Sequence, residues 1–165
     1  MNTSQTITLF ASGLISIALL LFALQMKFSK STKNNEDGKL KISFSIWAGT
    51  IFLASSITLE KMLSILTDAI NIYKGFDSPI ISTLKTTSIF VGLSAIWIVI
   101  LIFIINFLSN LIFENRKEKQ EMENDNYSYF ILKSLMLLGS TFALLPAFES
   151  LLKIFLPIIQ TPFYH

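Results

Sequence analysis

The chain has 165 residues, enough for one domain, of which 52% are hydrophobic and only 15% charged. It has no cysteine, and its single histidine is the last residue, His165. Disulfides, thiolate metal sites, thiol catalysis and a histidine-based triad or metal cluster within the chain are therefore excluded. A net charge of +2 is too small to mark a nucleic-acid surface.

The charges are bunched, leaving uncharged runs over residues 1–26, 42–59 and 86–113. About 20 apolar residues in a helix cross a hydrocarbon core of about 30 Å. The sequence therefore predicts an all-α, polytopic membrane bundle with spans over 7–26, 42–59, 86–113 and 127–148. It reads as one unit: two hairpins with an external amphipathic helix between them. The first run opens "MNTSQTIT", without a basic segment, and no Ala-x-Ala-like site follows before Lys27. It is thus expected to be a retained span rather than a cleaved signal. The loop 27–41, "KFSKSTKNNEDGKLK", then brings five lysines.

The second span is rich in hydroxyls, at Ser43, Ser45, Thr50, Ser55, Ser56 and Thr58. Such groups bond back to their own helix carbonyls, so they require no pore. This span closes on Glu60, about 28 Å along from Lys41 at 1.5 Å per residue. The fourth closes similarly on Glu149. Either the two glutamates mark the outer boundary, or they lie just inside it and face a pore or partner, since an intramembrane carboxylate needs one.

In the external segment 60–85, Met62, Ile65, Leu66, Ala69, Ile72 and Tyr73 recur at helical spacing. They predict an amphipathic helix, lying in the interface or extending the second span. Gly75 suits its C-cap, and Asp77-Ser78-Pro79 suits the start of the next helix.

The third span, 28 uncharged residues over 86–113, has no polar face, which makes a buried core helix of a soluble protein hard to sustain. Asn106 and Asn110 share one of its sides, and Gln25 lies at similar depth; an interhelical polar cluster of the three is expected. The loop 114–126 holds Arg116, Lys117 and Lys119. In the fourth span Lys133 is expected to reach back to the headgroups, and Pro146 to kink the helix or end its regular bonding. Gly139, Ala143 and Ala147 form a row of small residues, as do Ser45 with Gly49 and Ser88 with Gly92. Such rows let helices approach closely in lipid, within the chain or between copies.

The two polar loops carry eight Lys/Arg, against four at 61, 74, 85 and 153. The positive-inside rule makes loops 27–41 and 114–126 cytoplasmic and both termini external, in a cell inner membrane. Laying Glu60 over Glu149 also matches Ile42 with Ile131, Ser45 with Ser134, Ala54 with Ala143, Leu63 with Leu152 and Ile65 with Ile154. That hints at a parallel repeat.

No glycine-rich phosphate loop is present, and Asp68 and Asp77 have no second acid at useful spacing. Neither catalysis nor a cofactor is expected. The expected partners are membrane lipids and other copies of the chain, with a protein partner at the cytoplasmic loops and no nucleic acid. The leading reading is a homo-oligomer that forms or gates a pore. The alternative is an accessory or immunity-type membrane protein acting by contact. In layout alone, the chain resembles small four-span proteins that serve bacteria as toxin-immunity factors and as phage-defence accessories.

Overall fold

The structure, a computed structural model, describes residues 3–27, 38–73, 79–113 and 116–156. It contains α1 (Thr3–Lys27), α2 (Ile42–Tyr73), α3 (Pro79–Ile112), the short α4 (Glu118–Glu123) and α5 (Tyr127–Lys153). Gly75, Asp77, Ser78, Lys30 and Lys33 lie outside the described residues. Pro79 is the first residue of α3, where its missing N–H costs nothing and its fixed φ suits the helix.

Three helices are long and apolar enough to cross a membrane: α2, α3 over Ile81–Ile112, and α5. These are the spans expected at 42–59, 86–113 and 127–148. In α1 the qualifying apolar stretch is shorter, Thr6–Phe22. The chain is thus compatible with a multi-pass membrane protein.

The amphipathic segment takes the second of its two placements. It is no separate interfacial helix but the last turns of α2, which runs unbroken for 32 residues, about 48 Å. The cause is packing. Met62, Ile65, Leu66 and Ile70 are buried in one cluster with Phe90 of α3 and Phe148 and Leu152 of α5. Burying that stripe against two helices removes the drive to lie flat in an interface.

Contacts fix the directions. Near the N-terminal ends of α2 and α5 Trp47 meets Phe130, their rings 6.2 Å apart. The Thr50 and Ser134 hydroxyls then meet at 2.8 Å, and Lys61 meets Glu149 further along. The two helices therefore run parallel. The α3 helix returns antiparallel to both: Tyr73 and Thr86 hydroxyls meet at 2.6 Å at one end, and Phe113 and Tyr129 rings at 5.1 Å at the other. The core of the bundle is α2 on α5, with α3 against both; α1 leans mainly on α2.

Parallel α2 and α5 suit a parallel repeat, but the matched positions differ in environment. Ser45 is exposed and Ser134 buried, while Ala54 is buried and Ala143 exposed.

The outer wall is apolar. Phe10, Phe103, Phe107, Leu135 and Phe142 are all exposed, Phe103 by 71%. So continuous an apolar surface belongs in lipid or against another protein, not in water. Five of the six hydroxyls over 42–59 turn back on their own helix, as expected, whereas the buried Ser43 Oγ does not. Ser45, Thr50, Ser55, Ser56 and Thr58 each donate to the carbonyl four residues earlier, at 2.7–3.1 Å. Pro146 does not end α5, which continues to Lys153.

Candidate functional site: a polar clamp at one end of the bundle

The polar segment between α3 and α5 does not hang free. The α4 helix folds over the N-terminal ends of α2 and α5, and its Met122 is buried in the core beneath. That anchor points Glu118, in the first turn of α4, down into the bundle.

Glu118 meets two groups there. Its Oε2 accepts from Lys133 Nζ at 2.7 Å, and its Oε1 from Trp47 Nε1 at 3.1 Å. Lys133 is only 1% exposed. Its ammonium also sits 4.7 Å from the centroid of the Trp47 ring. The expectation that Lys133 reaches back to the headgroups is thus corrected: the anion comes to the lysine, and the lysine stays inside. A buried charge without a partner is very costly. A charge-assisted hydrogen bond to a carboxylate, with an aromatic face beside the cation, offsets that cost.

Asp125 is the second clasp. Its backbone is left-handed, at φ 50°, a region that Asp enters more readily than most residues. The carboxylate thereby reaches the start of α2, 82 residues away in sequence, accepting from Ser43 N–H at 2.8 Å and Ile42 N–H at 3.4 Å. These are amide groups of the first turn, which have no partner within their own helix. The cap comes from another part of the chain. Burial pushes the Asp125 carboxyl upward, but those N–H donors and the Lys41 charge outweigh it, so its pKa lies below the ordinary 3.8. Lys41, itself buried, donates to the Glu123 carbonyl at 2.9 Å.

Asn126 completes the unit. Its Oδ1 accepts from Tyr129 N–H, capping α5, and its Nδ2 donates to Glu121 Oε2 at 2.6 Å. Glu121 also pairs with Arg116 at 3.5 Å. Every acid named here is held by donors, so the arrangement fastens helices together and offers no free base. Among the described residues no group of three His, Cys, Asp or Glu is placed to hold a metal.

The residues singled out from sequence lie elsewhere. Glu149 pairs with Lys61 at 2.9 Å and Lys153 at 2.7 Å. Glu60 is exposed, on a notch of about 560 Å³ beside α1 that is also lined by Gly13, Ser56, Ser64 and Thr67. It has no ion-pair partner among the described residues. The two glutamates are therefore not a matched pair. Gln25 and Asn110 are exposed, whereas Asn106 is half-buried. No hydrogen bond joins the three among the described residues, and Asn106 Oδ1 is buried without a partner. All three rows of small residues face outward: Ser45 and Gly49, Ser88 and Gly92, and Gly139, Ala143 and Ala147 are exposed. A Cβ added at Gly49, Gly92 or Gly139 meets nothing within 4 Å.

Sequence reasoning missed the clamp. One signal was available, because a lone lysine in an apolar span demands an anion and "EKQEME" lies 15 residues before it. For Asp125 there was none.

Compared with protein-family models, curated proteins and solved structures, the chain matches none.

Proposed function

We propose that the chain is a non-enzymatic, four-span protein of the cell inner membrane, two hairpins with α1 as the first span, that works by contact with other helices in the bilayer. The clamp lies on the cytoplasmic side and both termini outside. Contact includes self-association and, in the accessory or immunity-type reading, capture of another membrane protein. The carrying observation is the outward face of every small-residue row, open where a neighbouring helix needs room. Association in lipid rests on that kind of close packing, since leaving water no longer drives it. The interior supports the same reading: hydroxyls bond their own helices, and Trp47, Phe130 and Leu137 fill the space between α2 and α5.

A second reading keeps the pore but moves it between copies. It draws on Ser56, Glu60, Ser64 and Thr67, a polar stripe at helical spacing along α2, beside the notch. Several protomers turning that stripe inward enclose a polar lumen.

Gly139→Leu and Gly92→Leu test the first reading. The expected outcome is an unchanged melting temperature, because both sites are open, with a smaller species in detergent and weaker crosslinking in membranes. A monomeric wild type that captures no membrane protein from its host counts against contact. Solute flux through liposomes holding the purified protein separates the two readings, since a contact protein leaves the vesicles tight.

A further inference from the structure

Glu60 is exposed on the notch between α1 and α2, with Ser56, Ser64 and Thr67 around it. It makes no ion pair among the described residues. A carboxylate facing lipid or a neighbouring helix is costly unless it finds a partner. The notch therefore asks for a cation, and the chain carries one at the right depth.

Lys61, the next residue, meets Glu149 of α5 at 2.9 Å, and Glu149 accepts from Lys153 at 2.7 Å. Glu60 and the Lys153 ammonium thus stand at one level of the bundle, on different helices. Lys85 does not: it adjoins Thr86, which meets Tyr73, about 20 Å further along α2 than Glu60. Lys61 is turned toward its own α5. Lys153 is 54% exposed, and an ammonium has three donors, of which Glu149 takes one.

Helix rotation selects the same two groups. At 3.6 residues per turn Lys153 falls within about 40° of Gly139, and Glu60 within about 20° of Gly49. Each charge therefore rises from an outward face that also carries small residues, where another helix has room. We propose that a second copy of this chain fills the notch: α5 of one copy lies along α2 of its neighbour, and Lys153 of the first pairs with Glu60 of the second. This rests on the contact reading and names its surface. Copies inserted the same way stand at equal height, so level charges meet and α2 and α5 lie parallel. The two faces differ, so the contact is heterologous and each copy holds two neighbours.

The test uses the full chain in liposomes, with energy transfer between terminally labelled copies as the readout of association. Glu60→Lys alone, or Lys153→Glu alone, sets like charges against each other, and self-association should weaken about tenfold or more. Mixing the two variants should restore the wild-type level, because every lysine then meets a glutamate. Melting temperatures check that each variant folds. A second measurement leaves both charges in place. The chain has no cysteine, so copies with Ser64→Cys or Ser150→Cys carry one thiol each, and a short thiol crosslinker should join 64 to 150 in preference to 64–64 or 150–150. Either charge variant associating alone as the wild type does, a mixture no better than its components, or no preference for 64–150 overturns this pairing and leaves contact through other faces standing. A wild type that does not self-associate overturns it as well, and the contact reading falls with it only if no host membrane protein is captured.

Discussion

The two ends of the bundle both carry ion pairs, yet they are built differently. At the clamp end Lys133 is 1% exposed and Glu118 25%, and the carboxylate is shared with a buried indole. At the other end Glu149 is 28% exposed, with Lys61 at 29% and Lys153 at 54%. One of those two contacts is merely a neighbouring turn of the same helix. The difference is between a charge held inside the bundle and charges that already meet solvent or headgroups. A buried pair contributes little net stability over an apolar replacement, but losing one partner strands the other. Pairs near a surface are screened and replaceable.

Breaking the clamp should therefore give the largest effect. Glu118→Ala takes the carboxylate at 2.7 Å away from the buried Lys133 ammonium and removes the acceptor at 3.1 Å from Trp47 Nε1. A loss of about 3–5 kcal/mol is expected, read as a large drop in melting temperature or in folded yield in detergent. Replacing both partners together, Glu118→Leu with Lys133→Met, should restore most of it, because two apolar groups need no partner. If Glu118→Ala proves harmless, the pair does not hold the loop to the bundle.

Asp125 comes next, since it caps α2 and the buried Lys41 beside it keeps the Glu123 carbonyl as an acceptor of its own. Asp125→Ala should cost about 1 kcal/mol, the usual worth of an N-cap. The charge has its own signature in pH. The folded-state pKa is depressed below 3.8, so the stabilisation is fully present above that value. It is lost as pH falls through the lower, folded value. Asp125→Asn keeps an acceptor in place but cannot titrate there. Its stability gap to the wild type should stay level above the ordinary value and close in more acid solution. A gap independent of pH down to that range would show that the amide donors do not feel the charge.

How much of this was legible follows from the range of each interaction. The helices over 42–59, 86–113 and 127–148 could be read because an uncharged apolar run is a local property, needing no knowledge of neighbours. The extension of α2 through residues 60–73 was legible as a stripe; which of two surfaces covers that stripe was not, because Phe90 and Phe148 come from other helices. Lys133 stood out as an anomaly, yet its partner arrives only once α4 folds back on Met122. Asp125 joins amides 82 and 83 residues away, and no periodicity encodes that. The likeness of Glu60 to Glu149 was also a local reading. It failed as a pairing because helix rotation, not position along the chain, decides which acid meets a lysine.

That last distinction yields the smallest expected effect. Glu149→Gln frees Lys61 and Lys153, but both can turn to water or to lipid phosphate, so no buried charge is stranded. The melting temperature should fall by less than in Asp125→Ala, and moderate salt should erase the difference, because exposed charges are screened over roughly 10 Å at 0.1 M. Glu60→Gln removes a carboxylate with no ion-pair partner among the described residues, and should leave folding untouched at any salt concentration. Crosslinking in membranes then asks whether Glu60 faces another molecule. Weaker crosslinking in Glu60→Gln alone marks the notch as a contact, whereas equal crosslinking in both variants assigns the two acids to marking the boundary. If instead Glu149→Gln destabilises as much as Glu118→Ala, the two ends do not differ, and the Lys61 pair is buried by something that covers it in the membrane.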